Sequence, residues 1–308
     1  AGGTFYDLHE NKFLTPLILW LCYAYERKKR PLMYVFALLI CMVKEDAPVY
    51  VMFFAIYLIL ARKEYKHGPA LLAGAFAYFL GAIYLLETFG EGVMSYRYAN
   101  VVYGDGGLIG VIKTAIVNPL LIIKESFEPA KLAFILLMLA PLGFLPVLTR
   151  QLSSFILIAP MVLVNLIPDY QYQHSIFFQY TYGVSGFLFY LSAQNLAGLE
   201  QGVLANPGKL EWMRRGIYGV LVVTACCFFV AQLGNRTDYI SYYKNTGEQR
   251  AAIVKTLDSI PKDASVQTST FFVARLARRD VIYEYPSQNK TDYIVLDLRY
   301  MTAEKAQS

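Results

Sequence analysis

Eight runs of apolar residues divide this chain and limit what it can fold into. Five of them approach the ~20 residues that a helix needs to cross a bilayer, at 68–86, 132–149, 152–168, 175–199 and 216–234. Three shorter runs lie at 13–25, 31–43 and 47–61. Because 56% of the residues are hydrophobic and only 17% are charged, we predict an all-α polytopic transmembrane helix bundle with about eight membrane segments.

Lys and Arg residues cluster in the short loops between these runs, at 26–30, 62–66, Arg150 and 209–215. Short loops rich in Lys and Arg stay on the cytoplasmic side, so one alternation of eight segments places all four loops there. Both ends of the chain then face outward. Since no basic face with interleaved aromatic side chains is present, we expect no nucleic-acid partner despite the net charge of +5.

The sequence indicates three parts. Residues 1–12 form an outer-face entry segment, 13–234 the transmembrane bundle with an outer loop at 87–131, and 235–308 a small extracytoplasmic α/β domain. In the outer loop, Asn118-Pro119 interrupts an apolar helical pattern over 107–123. In the C-terminal part, apolar spacing predicts helices over 247–259 and 271–279, and strands over 265–268, 281–285 and 293–298.

Three consecutive charges, Lys44, Glu45 and Asp46, separate two apolar runs and are the first candidate site. The 13 residues of 31–43 span only ~20 Å of a hydrocarbon core ~30 Å thick, which leaves the charges below the outer surface. Run 13–25 is equally short, so Asp7, His9 and Glu10 reach a similar depth. Charges at membrane depth usually line a polar cavity or pair with each other. We therefore expect a recessed cavity that opens to the outside.

Structural roles can also explain these charges. Asp46 precedes Ala47-Pro48 and can be the N-cap of the next helix, while Lys44 can neutralise Glu45. As functional residues, Glu45 and Asp46 are the candidates for catalysis or for a divalent metal ion. No metal-ligand spacing is present, so the metal sites and cofactors stay unknown.

A second polar group lies at 168–174 and continues into the next apolar run with Gln179 and Tyr180. Tyrosines at a membrane boundary are often belt residues only. Aromatic and amide side chains together also bind sugars and lipid head groups, with His174 at the outer side of this group.

Several motifs in a fixed order resemble a family of polytopic bacterial membrane proteins catalogued as a domain of unknown function and allied to the GT-C glycosyltransferases. The matching pieces are Tyr6-Asp7-Leu8-His9-Glu10, Val43-Lys44-Glu45-Asp46, Asn118-Pro119, Phe127-Glu128-Pro129-Ala130-Lys131-Leu132, Ala140-Pro141-Leu142-Gly143-Phe144-Leu145-Pro146 and Gln179-Tyr180-Thr181. In the family the last motif usually runs into a proline, whereas Gly183-Val184-Ser185-Gly186 follows it here.

The resemblance implies a transferase in the bacterial cytoplasmic membrane that takes a polyprenyl-phosphate sugar from the membrane lipids at the outer face. Lys44 and His9 are then candidates for phosphate contact, and Tyr180 for contact with the sugar or lipid. GT-C enzymes carry their catalytic aspartate in the first outer loop. We expect that loop in an N-terminal portion that this chain lacks, so no residue here is assigned as the family's base.

Two other functions remain open. A transporter or flippase would use the charges as an ion path, and it predicts charges at mid-membrane and internal repeats. A non-catalytic assembly protein would present the C-terminal domain to partners.

Overall fold

The computed structural model describes residues 9–90, 95–102, 107–149, 151–205, 207–234 and 237–298. The chain is mostly helical and divides into two compact units, Ala1–Gln232 and Leu233–Ser308. The longer helices of the first unit are α1 (Leu14–Glu26), α2 (Arg30–Cys41), α3 (Pro48–Leu60), α4 (His67–Phe89), α5 (Gly107–Val117), α6 (Pro119–Ser126), α7 (Pro129–Leu139), α9 (Tyr182–Ala205) and α10 (Pro207–Gly234), which ends just past the boundary.

Prolines set where several of these helices begin. Pro31, Pro48, Pro119 and Pro129 each lie in the first turn of their helix. A proline there loses no helical hydrogen bond, and its fixed φ suits the first turn. The expected interruption at Asn118-Pro119 is confirmed, because the Asn118 side chain accepts a hydrogen bond from the Leu121 amide and so caps α6.

Helices α3 and α9 run parallel through the core of the first unit. A side chain on Gly183 would meet the Tyr50 ring, the rings of Phe54 and Phe187 stack 6.4 Å apart, and those of Tyr57 and Tyr190 meet edge-on at 6.2 Å. In each of these three contacts the two residues are the same number of positions apart in the sequence. The two helices therefore stay in register over two turns. Their N-termini consequently lie at the same end.

Helix α1 packs against α9 in the same direction. Thr15 donates a hydrogen bond to the backbone oxygen of Tyr182, and a Cβ on Gly186 would lie 2.8 Å from Ile18. At the other end, Tyr190 and Gln194 donate to Glu26. The N-termini of α1, α3 and α9 therefore share one end of the bundle.

Two helices in the described part of the chain are long and apolar enough to cross a membrane, His67–Phe89 and Arg214–Ala231. Four more apolar helical stretches are shorter, namely Arg30–Cys41, Pro48–Leu60, Pro129–Leu142 and Leu152–Leu166, and the last two include turns that are not α-helical. The predicted mostly helical fold is thus confirmed. The eight predicted membrane spans are not, because only two helices in the described part of the chain are long and apolar enough.

The apolar run at 152–168 does not form one regular helix. It consists of a 3-10 segment (Leu152–Leu157), one α-turn, α8 (Ala159–Met161), and a π-helical turn (Val162–Leu166). Pro160 lies in this stretch and lacks the amide hydrogen that a continuous helix would use. Likewise, the run at 175–199 becomes helical only with the 3-10 turn Gln179–Thr181, which leads into α9.

The second unit holds α11 (Thr237–Asn245), α12 (Gly247–Asp258), α13 (Thr270–Leu276) and a three-stranded sheet. Its strands β1 (Val266–Thr268), β2 (Ile282–Glu284) and β3 (Tyr293–Val295) are all parallel, in the order β2-β1-β3. Leu257, Val266 and Leu276 form its core. The small α/β unit expected from the sequence is confirmed as a fold.

Candidate functional site

The expected polar residues before α1 and α3 lie together. Lys44 Nζ is 3.9 Å from Glu10 Oε1 and 4.0 Å from Glu45 Oε1. His9 Nδ1 lies 3.1 Å from Glu10 Oε2. The similar depth inferred from the two short runs thus corresponds to real contact between the segments. Asp7, the other candidate in this group, lies outside the described residues.

Asp46 does not cap α3. The N-cap position belongs to Ala47, and no side chain bonds there. The Oδ1 atom of Asp46 is buried and has no hydrogen-bond partner among the residues that the structure describes. Burial raises the pKa of this carboxyl, and the nearby charge of Lys44 only partly opposes that rise. A buried carboxylate oxygen without a donor is costly, so its presence indicates a role other than capping.

Arg97 stands between this charged group and the tyrosines of the second polar group. Its guanidinium lies 4.7 Å from the ring centre of Tyr170 and 5.4 Å from that of Tyr180. Its positive charge also acts on Asp46, where it favours the ionised carboxylate. The short 3-10 turn Ser95–Tyr98 carries it, and its backbone oxygen accepts a hydrogen bond of 3.2 Å from the Asp169 amide. Arg97 therefore links the two groups that the sequence treats separately.

Asn165, fully buried on the π-helical turn, holds the second polar group in place. Its Nδ2 donates to the backbone oxygens of Gln173 (2.6 Å) and Tyr180 (3.2 Å), while Gln173 Nε2 donates to Val164 O (2.9 Å). Carbonyl oxygens only accept hydrogen bonds, so these contacts fix which way both amides point. The remaining oxygens, Asn165 Oδ1 and Gln173 Oε1, are buried without a donor in the described part of the chain.

Lys131 is a completely buried lysine at the start of α7. Its Nζ donates to the Glu125 backbone oxygen at 2.7 Å, near the end of α6, and lies 3.7 Å from Glu128 Oε2. Its ammonium thus joins the C-terminus of α6 to the N-terminus of α7.

His174 lies within electrostatic reach of Lys131. Burial, and then the positive charge of Lys131, lower the pKa of His174. Burial and the charge of Lys131 thus both favour the neutral form of its imidazole.

We expect Lys131→Met to destabilise the protein by about 1–3 kcal/mol, because Glu125 O loses its buried donor while the methionine retains most of the apolar stem. Loss of the ammonium also raises the pKa of His174 toward its ordinary value. Unfolding in detergent measures the first effect, and NMR titration of His174 measures the second. Lys124→Met, at an exposed position on α6, is the matched control. An unchanged pKa of His174 in the Lys131 variant would contradict the electrostatic link.

Of the candidates named from sequence, His9, Glu10, Lys44, Glu45 and Asp46 form one group, and Tyr180 belongs to the aromatic group that Arg97 contacts. Gln179 begins the turn Gln179–Thr181, which contacts the turn Glu10–Phe13. His174 lies near Lys131 instead.

The sequence analysis did not identify Arg97, Lys131 and Asn165 as site residues. The sequence did give an indication of Asn165, because it is the one amide side chain in the apolar run at 152–168.

Among the described residues, no cluster of three His, Cys, Asp or Glu side chains is placed to hold a metal ion.

Comparison with known proteins gives one match. A family model described as predicted membrane protein (DUF2079) matches residues 1–308. No curated protein and no solved structure matches the chain.

Proposed function

The chain belongs to the DUF2079 family of predicted membrane proteins, and from this premise we propose that it acts as a membrane glycosyltransferase with a lipid-phosphate-linked sugar as donor. In this proposal the polar end of the bundle, where α1, α3 and α9 begin, is the active site. The protein resides in the bacterial cytoplasmic membrane, and the site opens on the outer side.

The observation that carries the proposal is the unpartnered carboxylate oxygen of Asp46 beside two cations. Transfer of a sugar to an alcohol needs a base for the acceptor proton and positive charge for the departing phosphate. A carboxyl whose pKa is raised by burial is a stronger base once ionised, and Lys44 and Arg97 supply the positive charge. Of the two candidate acids, we assign the base to Asp46, because Glu45 is already in contact with Lys44.

Arg97 is suited to hold the donor's phosphate. A guanidinium can donate two parallel hydrogen bonds to phosphate oxygens, a geometry that lysine cannot reproduce. The rings of Tyr170 and Tyr180 pack around Arg97 and limit its freedom, which lowers the entropy lost on binding. Aromatic faces beside the guanidinium also suit the C–H face of a sugar or an isoprenoid chain.

The proposed reaction is a single displacement at the anomeric carbon. The acceptor oxygen forms the new C–O bond while the bond between the anomeric carbon and the phosphate oxygen breaks. The acceptor proton passes to Asp46, and the lipid phosphate leaves with its bonding electrons and takes negative charge beside Lys44 and Arg97.

The proposed membrane placement keeps the eight segments expected from sequence. The helices His67–Phe89 and Arg214–Ala231 support two of them directly by length and composition. The shorter apolar helices would cross a bilayer that is thinned locally, with the polar site at their outer ends. In this arrangement the 235–308 domain is extracytoplasmic.

Binding of undecaprenyl phosphate in vesicles tests the proposal, since this probe carries the phosphate and the isoprenoid without the sugar. We expect Arg97→Gln to weaken binding about tenfold or more, because a charge-assisted contact is lost. Arg97→Lys should recover part of the affinity. Arg27→Gln is the matched control, because Arg27 also lies over a tyrosine ring, that of Tyr23, at an exposed position. Equal affinity of wild type and Arg97→Gln would refute the role of Arg97 and the proposed site.

A further inference from the structure

Three polar side chains precede the three parallel helices α1, α3 and α9, and each leaves a buried oxygen without a donor. Asn11 Oδ1, Asp46 Oδ1 and Gln179 Oε1 are these atoms, within the part of the chain that the structure describes. Asn11 is only 3% exposed, so solvent does not satisfy its oxygen. Each unmade bond of this kind disfavours folding, and three at one place indicate a common missing partner.

The register of the helices, continued into the turns that precede them, brings these residues together. Tyr50 pairs with Gly183 and Phe54 with Phe187, and the same separation one turn before the helices pairs Asp46 with Gln179. The separation that pairs Ile18 with Gly186 places Asn11 opposite the same Gln179. Direct contact between the turns Glu10–Phe13 and Gln179–Thr181 agrees with this second pairing.

The electrostatics of this point select the kind of ligand. All three oxygens accept hydrogen bonds, so a ligand must bring donors. A metal cation or an ammonium group would also satisfy them. The side-chain charges nearly cancel here, because Lys44 and Arg97 lie among the carboxylates of Glu10, Glu45 and Asp46. The N-terminal ends of three helices then add positive partial charge. A cation therefore meets no net negative charge, whereas a neutral hydroxyl group donates without adding charge.

We infer that Asn11, Asp46 and Gln179 form a subsite for a neutral, hydroxyl-bearing acceptor, an alcohol such as a sugar and not an amine. This inference rests on the proposed function and deepens it, because it assigns the acceptor class to the same site. Asn11 and Gln179 orient the acceptor through its hydroxyl groups, and Asp46 contacts the hydroxyl that reacts.

The stability of variants gives a test that needs no ligand. Gln179→Met and Asn11→Leu replace a buried oxygen that lacks a donor by an apolar group, so we expect the melting temperature of each to equal or exceed that of wild type. If the oxygens served the fold, both variants would melt lower. A lower melting temperature in both would overturn the inference.

Probe binding tests the acceptor class on the full chain in detergent. We expect methyl α-mannoside, methyl α-glucoside or myo-inositol to raise the melting temperature of wild type, while the methyl glycoside of an amino sugar in its protonated form does not. Gln179→Met should weaken the responding probe about fivefold to tenfold, as expected for one lost hydrogen bond. No response to any of the three neutral probes, or an equal response to the protonated amine, would overturn the inference.

The two proposals fail separately. Gln179→Met should bind undecaprenyl phosphate as wild type does, and Arg97→Gln should keep its response to the neutral probe. Loss of lipid-phosphate binding alone refutes the donor site and leaves the acceptor subsite standing. Loss of the neutral-probe response alone refutes the acceptor subsite.

Discussion

Asp46→Asn is expected to lower sugar transfer by about 100-fold or more while the protein becomes more stable at neutral pH. The activity falls because an amide cannot take the acceptor proton. The stability rises because the buried oxygen of Asp46 lacks a donor, and a neutral amide is less costly to bury than an ionised carboxylate. We expect a gain of about 1 kcal/mol, discounted because the residue is partly open to solvent.

The gain in stability should depend on pH with a definite sign. The pKa of Asp46 is higher in the folded protein than in the unfolded chain, because burial disfavours the charged form. The folded state therefore binds the proton more tightly, and wild type becomes relatively more stable as pH falls through the folded pKa. The advantage of Asp46→Asn should be largest at neutral pH and should shrink toward pH 4.

Two measurements check this prediction. Thermal unfolding of wild type and variant over pH 4–8 gives the stability difference, and transfer of labelled sugar from a polyprenyl-phosphate donor in membranes gives the activity. Glu45→Gln is the neighbouring control, since Glu45 contacts Lys44 and should retain most transfer if Asp46 is the base. A variant that loses stability along with transfer would indicate a structural role for Asp46.

Gly183→Ala is expected to destabilise the bundle by about 3 kcal/mol or more, a large effect for one methyl group. A Cβ at this position would lie 2.1 Å from Tyr50 Cζ and 2.5 Å from its Cε1. Tyr50 is 2% exposed and packs against Phe187, so its rigid ring cannot move aside. The helices α3 and α9 would have to separate, which would also disturb the register that aligns Asp46 with Gln179.

Gly198→Ala is the matched control because it lies on the same helix and a Cβ there meets nothing within 4 Å. It should be neutral or stabilising by up to about 1 kcal/mol, as expected from helix propensity. Unfolding of both variants in detergent gives the comparison. A double-mutant cycle with Tyr50→Leu should reduce the cost of Gly183→Ala, and an undiminished cost would show that the clash with Tyr50 is not its source.

The sequence departs from the usual family pattern at Gly183-Val184-Ser185-Gly186, and the structure explains what these residues do. Helix α9 is continuous through them, and the two glycines allow Tyr50 and Ile18 to approach its backbone closely. A proline is therefore not needed for the helix to begin here. The sequence could not reveal this, since the partners of Gly183 and Gly186 lie more than a hundred residues away in α3 and α1.

Local pattern determined much of this protein. The apolar runs located the starts of α1 to α4, and short apolar segments located the three strands of the C-terminal unit, because both signals depend on residues only a few positions apart. The charged residues beside the short apolar runs also predicted that His9, Glu10 and Lys44 lie together, because the length of a helix sets how deep in the membrane its end lies.

Tertiary structure alone decided how these pieces meet. The parallel register of α1, α3 and α9 places Asn11, Asp46 and Gln179 at one end of the bundle, and it depends on how rings and glycines interlock across distant segments. The same packing makes Arg97 the link between two polar groups, and it buries Asp46 Oδ1 without a donor in the described part of the chain. Whether a side chain is buried, and which groups it contacts, depends on residues that are distant in the sequence. A pattern along the chain could therefore identify the charged residues but not their environment.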